Sequence, residues 1–397
     1  MMRILNVLPW SPLTRVGGYE TFVKETGKEL VRRGHSVFVL GHVPLGPRFH
    51  RTSEEGILYV QIGNMKPQGY STPKVSIRYL FSLFRYIVGT IPYLAKVIVL
   101  YDIDSVIFYR EQFQAPLAIT ARLFGGRPWL AHVVIRRLRG SGSLWHWLNR
   151  ALINCFSGVF TYVRYFNTGE QFIDNLAELR RHKPSRIFFL PGGIDTTNIE
   201  RLQPKPWMQQ AKENVDYLVV CPRRLTVQKG AHVLLESIPK VISGLRGEKP
   251  LFVFAHDGEL RTYIHVRSRS LGIEQFVLVS PEPLVGTLMC ELIKCADLVV
   301  VPSLSEEDFG MVFLEAWSAK VPVVSTNVGG IAGVISDGVT GVLVAPGDRA
   351  HLAEAIVSLL HAPDLRRKLA DSGFKMVNSR FNIHQVASEL ANILEMN

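Results

Sequence analysis

The stretch Pro302–Ala316 reads PSLSEEDFGMVFLEA and follows an apolar run, Leu298–Val301, that is typical of a buried β-strand. The chain then enters a predicted helix. If Glu307 lies in the loop before that helix, its carboxylate and that of Glu315 can face one crevice at the carboxyl end of the strand. Ligands bind at such crevices in open α/β sheets. The free N–H groups of the helix start suit a diphosphate, whereas carboxylates accept hydrogen bonds from sugar hydroxyls.

The bulk composition indicates two globular domains. The chain has 397 residues, of which 47% are hydrophobic, enough for two full-sized cores. Its four cysteines lack the spacing of zinc ligands, so we interpret them as reduced core residues. No signal-peptide pattern opens the chain, and the expected location is therefore the cytoplasm, with the inner face of the cell membrane as a peripheral alternative.

The positive charge of +11 is concentrated in the first half of the chain. Residues 1–195 contain 25 Lys and Arg against 12 Asp and Glu, a balance of +13, whereas the rest contains 20 against 22, a balance of −2. This asymmetry indicates an anionic partner for the first half, which by charge alone could be a membrane surface, a phospholipid-like substrate or nucleic acid.

Strand-like and helix-like segments alternate along both halves, which predicts parallel sheets with right-handed crossovers. The first half has strand candidates at Arg3–Leu8, Ser36–Gly41, Ile57–Gln61, Ser105–Tyr109, Trp129–Val134 and Val159–Tyr162, and helix candidates at Tyr19–Arg33, Val75–Val99, Ala115–Leu123, Leu144–Asn154 and Asn167–Arg181. The second half repeats the pattern with strands at Tyr217–Val220, Leu251–Ala255, Phe276–Val279, Leu298–Val301, Val321–Ser325 and Val342–Val344. The predicted domains are 1–195 and 196–379, with a C-terminal helix, 380–397, that packs back on the first.

Several further motifs follow predicted strands. Gly17 and Gly18 precede the first helix, where glycine lets backbone approach a phosphate closely. His132 ends a strand in the first half. After the first strand of the second half, Arg224 and Lys229 stand five residues apart in a loop and can flank a diphosphate. No G-x-G-x-x-G or Walker motif occurs, which argues against a dinucleotide oxidoreductase or a P-loop enzyme.

Taken in order, these motifs resemble the family 4 retaining glycosyltransferases. The resemblance rests on G-G-x-E and R-G-H-x-V near the start, R-L-x-x-x-K-G in the second half, and the E-x(7)-E pair. It implies an α/β protein of GT-B architecture, with two Rossmann-like, doubly wound parallel-sheet domains facing across a cleft. The first domain would bind the acceptor, and the second would bind a nucleotide sugar.

The resemblance also implies roles for individual residues. Arg224 and Lys229 would bind the diphosphate, Glu315 the ribose and Glu307 the sugar hydroxyls. Donor contacts would also come from Gly17, Gly18, Phe309, Gly310 and Met311, and the catalytic set would be His132, Arg224, Lys229 and Glu307. No cofactor and no metal ion would be required.

Three residues depart from the family pattern. Gly192 replaces an asparagine in the segment between the predicted domains, Arg223 stands where a glycine is usual, and Gly333 stands where a carboxylate is common. The sequence leaves open whether Arg223 crowds the site or supplies a third cation.

A basic and apolar segment is the candidate membrane contact. No acidic residue occurs from Gly56 to Tyr101. On an ideal helical wheel, four basic residues share one side of this segment, namely Lys74, Arg78, Arg85 and Lys96. Two interpretations remain open, an interfacial membrane helix and a core helix with a solvated basic stripe.

The favoured function is a retaining hexosyltransferase that uses a UDP- or GDP-sugar and a lipid-linked or glycan acceptor, with no nucleic acid partner. Three alternatives remain: a soluble transferase acting on small sugars or sugar phosphates, a nucleotide-sugar epimerase, and a non-catalytic anion-binding protein of the same fold. The sequence does not identify the sugar, the base, the acceptor or the oligomeric state.

Overall fold

The structure is a computed structural model of the chain. It describes residues 1–8, 11–13, 18–43, 49–63, 77–109, 115–131, 161–165, 187–305, 307 and 309–395. Of these, residues 18–19, 77–83, 115, 130–131, 161–165 and 187–189 are described by their backbone.

The described residues form two compact units, and their boundary lies slightly before the one expected from the sequence. The first unit contains the chain up to Pro191 and again from Ile383 onward, while the second runs from Gly192 to Asn382. The segments 192–195 and 380–382 were predicted to group with the first domain. They group with the second unit instead, where the Ile194 N–H donates to the Phe381 carbonyl at 2.9 Å.

The first unit is built on a sheet in the order β3-β4-β2-β1-β5-β6-β7-β8. All neighbouring strands pair in parallel except β3 and β4, which form an antiparallel hairpin. The strands are β1 (Arg3–Val7), β2 (Ser36–His42), β3 (His50–Glu54), β4 (Ile57–Ile62), β5 (Ser105–Tyr109), β6 (Arg127–Ala131), β7 (Thr161–Tyr165) and β8 (Ile187–Leu190). Strand β3 was not predicted, because its sequence HRTSE is polar and lies at the sheet edge.

Helices of the first unit cover this sheet. They are α1 (Gly18–Arg32), α2 (Ile77–Tyr101), α3 (Ala115–Leu123) and, from the end of the chain, α12 (Ile383–Glu395). Helix α12 joins α1 through polar contacts, since Glu29 accepts from His384 at 2.8 Å and Arg33 donates to the His384 carbonyl at 3.0 Å. The helices predicted over 144–154 and 167–181 lie outside the described residues.

The second unit contains an all-parallel sheet in the order β11-β10-β9-β12-β13-β14. Its strands are β9 (Tyr217–Cys221), β10 (Pro250–Phe254), β11 (Val277–Val279), β12 (Leu298–Val301), β13 (Val323–Thr326) and β14 (Val342–Val344). Its helices are α4 (Thr196–Arg201), α5 (Pro206–Glu213), α6 (Ala231–Gly244), α7 (Arg261–Ser270), α8 (Thr287–Cys295), α9 (Met311–Ser318), α10 (Arg349–Leu360) and α11 (Pro363–Arg380).

Both faces of this second sheet are buried. In β12, Val299 and Val301 belong to one hydrophobic cluster and Leu298 and Val300 to another on the opposite side. Burial on both faces explains why β12 is a continuous apolar run rather than an alternating one. The chain order of strands reverses between β9 and β12, which makes their carboxyl ends the expected ligand position.

Candidate functional site

Two loops meet at the carboxyl ends of β9 and β12. The loop after β9 passes through a short 3-10 turn, Val227–Lys229, to Gly230, which has φ of 72°. A β-carbon on Gly230 would lie 1.8 Å from the carbonyl oxygen of Pro302 in the loop after β12. The N–H of Leu304 also donates to the carbonyl of Gln228 at 2.9 Å. Both the backbone conformation and the closeness of the two loops therefore require glycine at position 230.

Glu307 is the centre of the polar cluster that these loops form. Glu307 is 8% exposed. Its Oε1 accepts hydrogen bonds from Lys229 Nζ at 2.6 Å, from Ser303 Oγ at 2.7 Å and from Arg223 Nη2. Its backbone carbonyl accepts from the N–H of Gly330 at 2.7 Å. Side chain and backbone are thus held from the loops after β9, β12 and β13.

The cluster keeps Glu307 ionised. Burial alone would raise the pKa of this carboxyl group, but the charges of Arg223 and Lys229 and their hydrogen bonds lower it to about 2. Burial and the neighbouring Arg223 lower the pKa of Lys229 to about 8, although Glu307 opposes that change. Both partners therefore remain predominantly charged near neutral pH.

Glu315 lies in helix α9, and its pKa is shifted in the opposite direction to that of Glu307. Burial raises the pKa of its carboxyl group to about 7, with the charge of Arg223 opposing the increase. No donor in the described part of the chain forms a hydrogen bond with this carboxylate. A desolvated acceptor without a partner is suited to a ligand that brings its own hydroxyl donors.

The two adjacent arginines differ in their surroundings. The side chain of Arg223 is 12% exposed and pairs with Glu307, and its buried Nε has no hydrogen-bond partner in the structure. The Arg224 residue is exposed to solvent. In the structure, Arg223 is a second cation beside Lys229 at Glu307. Sequence reasoning also missed Ser303, which carries no motif signal beyond its position four residues before Glu307.

Phe309, Gly310 and Met311 form the entry to helix α9. Gly310 has φ of 79° and caps the helix. Phe309 is 3% exposed and packs edge-to-face on Phe381 with 5.4 Å between ring centroids, so its ring belongs to the core of the unit. A β-carbon on Gly192 would lie 2.7 Å from the Phe309 ring, which explains the glycine at that position.

The predicted site residues of the first unit are described less fully. Gly18 is the first residue of α1. Gly17 and His132 lie outside the described residues, and their roles stay predictions. In the second unit, Gly333 ends the short 3-10 helix Gly329–Gly333 that follows β13. Among the described residues, no group of three or more His, Cys, Asp and Glu side chains is placed to hold a metal ion.

The basic segment of the first unit has a mixed surface. Leu94, Val97 and Ile98 of α2 are buried in the core of the unit. Elsewhere on α2, large apolar residues are exposed, namely Phe84 (62%), Val88 (48%), Val99 (63%) and Leu100 (51%), and helix α3 and its end add Leu123 (78%) and Phe124 (48%). These six residues are called the apolar patch below.

Two of the predicted basic residues accompany the apolar patch. Arg85 and Lys96 are exposed, and Lys96 Nζ lies 4.8 Å from the centroid of the Phe49 ring. Lys74 and the side chain of Arg78 lie outside the described residues. By length and composition, Phe84–Tyr101 is the one described helical segment that could cross a membrane. One side of this helix packs in the core of the unit.

Sequence comparison identifies relatives of the second unit. Residues 206–376 match the sequence profile of the family described as glycosyl transferases group 1. D-inositol 3-phosphate glycosyltransferase 2 of Catenulispora acidiphila is 30% identical over 238 residues, which cover 56% of this chain and 54% of that protein. Phosphatidyl-myo-inositol mannosyltransferase of Mycobacterium leprae is 28% identical over 206 residues, or 52% of each chain. The chain thus spans about half the length of these curated relatives.

Structural comparison extends the similarity to the whole chain. HepE of Anabaena, solved in complex with UDP, matches with a TM-score of 0.72 and 16% identity, covering 100% of both chains. At this identity the likeness shows the fold, and the predicted fold class is confirmed. The chain has the GT-B fold, and its residues 206–376 match the group 1 glycosyl transferases.

Proposed function

We propose that this protein is a retaining glycosyltransferase that moves a hexose-type sugar from a UDP- or GDP-sugar to a lipid-linked or glycan acceptor. The proposal is supported by the family match and by the chemistry at the carboxyl ends of β9 and β12. UDP is bound by the structural neighbour HepE, and a phosphatidyl-myo-inositol acceptor is named for the mycobacterial relative. Both serve here as guides to the substrate class.

The second unit would bind the donor through groups of opposite charge. The Glu315 carboxylate would accept hydrogen bonds from the ribose hydroxyls, because it is desolvated and none of the described residues donates to it. Arg224 and Lys229 would neutralise the diphosphate. Glu307 would accept from hydroxyl groups of the sugar, and the backbone at Gly310 and Met311 would lie beside the phosphates, since a helix start favours anions.

The reaction would need no nucleophile from the protein. The bond between the anomeric carbon and the diphosphate oxygen breaks while a bond to the acceptor oxygen forms on the same face of the sugar. The acceptor proton passes to the departing phosphate oxygen, so the products are the glycoside and the nucleoside diphosphate. The role of Arg224 and Lys229 is to stabilise the charge that develops on the leaving group, which makes the proposed reaction independent of metal.

The proposal is carried by two carboxylates beside a strand-order reversal. Glu307 is ionised and immobilised, whereas Glu315 is desolvated and receives no hydrogen bond from the described residues. Calorimetric titration with a panel of UDP- and GDP-sugars, at pH 8 and in the presence of a chelator, tests it. One donor should bind to the wild type, and the Glu315→Gln variant should bind it at least about 10-fold more weakly, since one lost hydrogen bond to a charged group is worth about 1.5–3 kcal/mol. The matched control is Glu282→Gln, which changes an exposed carboxylate of the same unit.

The remaining alternatives are outcomes of the same measurements. Release of nucleoside diphosphate only when an acceptor is present supports transfer, and retention of the donor's anomeric configuration in the product supports the retaining reaction. Conversion of the donor to an epimer without acceptor would identify an epimerase instead. Failure of every nucleotide sugar to bind would refute the proposal and favour a non-catalytic protein of this fold.

We further propose that the protein binds an anionic membrane surface on the cytoplasmic side and contacts its acceptor there. The apolar patch combines exposed aromatic and aliphatic side chains with Arg85 and Lys96, which is the composition of an interfacial helix. Wild-type protein should sediment with vesicles of phosphatidylglycerol more than with vesicles of phosphatidylcholine. A Phe84→Ser, Val99→Ser double variant should lose that difference, and equal sedimentation of wild type and variant would refute the role of the patch. Ser243→Ala, an exposed change in the second unit, is the control.

A further inference from the structure

All three side-chain donors of the buried cluster converge on one oxygen of Glu307. Oε1 accepts from Arg223, Lys229 and Ser303, whereas Oε2 accepts no hydrogen bond from the described residues. A carboxylate that is bonded three times through one oxygen cannot rotate without breaking those bonds. Oε2 therefore has a defined direction and remains available as an acceptor.

Arg223 is the partner whose hydrogen-bonding group is planar. The pKa of Lys229 is lowered to about 8, so its charge diminishes in mildly alkaline solution. A guanidinium group stays protonated throughout the physiological range and is planar, which fixes the direction of its hydrogen bond. Ser303 contributes a neutral donor. Of the three, Arg223 is thus the cation with a fixed hydrogen-bonding geometry.

The surroundings of Glu307 contain further charged and titratable groups from neighbouring elements. Arg223, Arg224 and Lys229 follow β9, His256 follows β10, and Glu315 lies in α9. Burial lowers the pKa of His256, with Arg224 and Arg223 adding to that effect. Only Arg223 and Lys229 donate charged hydrogen bonds to Glu307 among the described residues.

We infer that Arg223 is a positioning residue for the transfer reaction, which holds Glu307 in a single rotamer with Oε2 presented to a hydroxyl group of the donor sugar. This inference rests on the proposed function and assigns a separate task to each of two adjacent arginines. Arg223 acts through Glu307 on the sugar, and Arg224 acts directly on the diphosphate.

The experiment compares Arg223→Met, Arg223→Lys and Arg224→Met with the wild type. In Arg223→Met, UDP affinity should remain within about 3-fold while kcat falls about 100-fold, since misplacement of a contacting group by about 1 Å has an effect of that size. The KM for the donor should change little, so the loss lies in kcat. Arg223→Lys should restore part of kcat, because it returns a positive charge beside Glu307. Arg224→Met should weaken UDP binding.

A double-substitution cycle with Glu307→Gln separates positioning from a general loss of structure. The effects of Arg223→Met and Glu307→Gln on kcat should be far from additive, because both remove the same interaction. The inference is overturned if kcat is unchanged in Arg223→Met, or if this variant loses UDP affinity as Arg224→Met does.

A readout without substrate distinguishes this inference from the proposed function. Acid unfolding of Arg223→Met should occur at a higher pH than that of Arg224→Met, since Glu307 takes up a proton more readily without its main charged partner. If no nucleotide sugar binds but this difference is present, the ion pair exists and the transferase assignment fails. If binding is normal but the two unfolding curves coincide, the positioning role of Arg223 fails.

Discussion

Replacing Glu315 by glutamine should make the protein more stable while it weakens donor binding. The substitution keeps the shape of the side chain and removes its negative charge. Burial raises the pKa of the carboxyl group from 4.5 to about 7, so the folded protein retains a proton that the unfolded chain releases between these values. The stability associated with this proton is present below pH 4.5 and is lost as the pH rises through 7.

The magnitude follows from that interval. At about 1.4 kcal/mol per pH unit, ionised Glu315 lowers the free energy of unfolding by about 3 kcal/mol at pH 8. Glu315→Gln should recover this amount at pH 8 and only about 1 kcal/mol at pH 5, where the wild-type carboxyl is already largely protonated in the folded state. Binding sites commonly lower the free energy of unfolding in this way, because they bury polar groups whose partners come from the ligand.

Urea unfolding at pH 5 and pH 8, in the absence of nucleotide, measures the difference. Glu282→Gln, an exposed change in the same unit, should stay within about 0.5 kcal/mol of the wild type at both values. A Glu315→Gln variant that is less stable than the wild type at pH 8, or whose difference does not depend on pH, would show that this carboxylate is not the desolvated group described above.

Two glycine substitutions test the packing of the site. Gly230→Ala should lower the free energy of unfolding by about 3 kcal/mol or more, because its β-carbon would lie 1.8 Å from the Pro302 carbonyl oxygen. The control Gly338→Ala, at a residue with φ of 69° and no atom within 4 Å of the added β-carbon, should lower it by only about 1 kcal/mol. Equal losses of the two variants in urea unfolding would contradict the argument. Gly192→Asn, which restores the residue common in the family, should also destabilise the second unit, since its β-carbon would lie 2.7 Å from the Phe309 ring; an unchanged melting temperature would show that Phe309 can move aside.

Much of the second unit was predictable because its signals are local. Each of its parallel strands is buried on both faces and is therefore a short apolar run, as in Leu298–Val301. The candidate residues Lys229, Glu307 and Glu315 follow such runs at fixed positions, so their neighbourhood at one sheet edge follows from topology. The polar edge strand His50–Glu54 was missed, because its pairing with Ile57–Ile62 rather than its composition makes it a strand.

The amino-acid sequence by itself determined the α/β class, the repeated strand-helix pattern and the family resemblance, since these depend on periodicity and motif order. Tertiary structure alone decided which of two neighbouring arginines meets Glu307, that Phe309 is a core residue, and that Gly192 groups with the second unit. The physical reason is that side-chain direction, burial and pKa depend on atoms far away in the chain. The opposite pKa changes of Glu307 and Glu315 illustrate this, because both groups are desolvated and only Glu307 has two cations bonded to it.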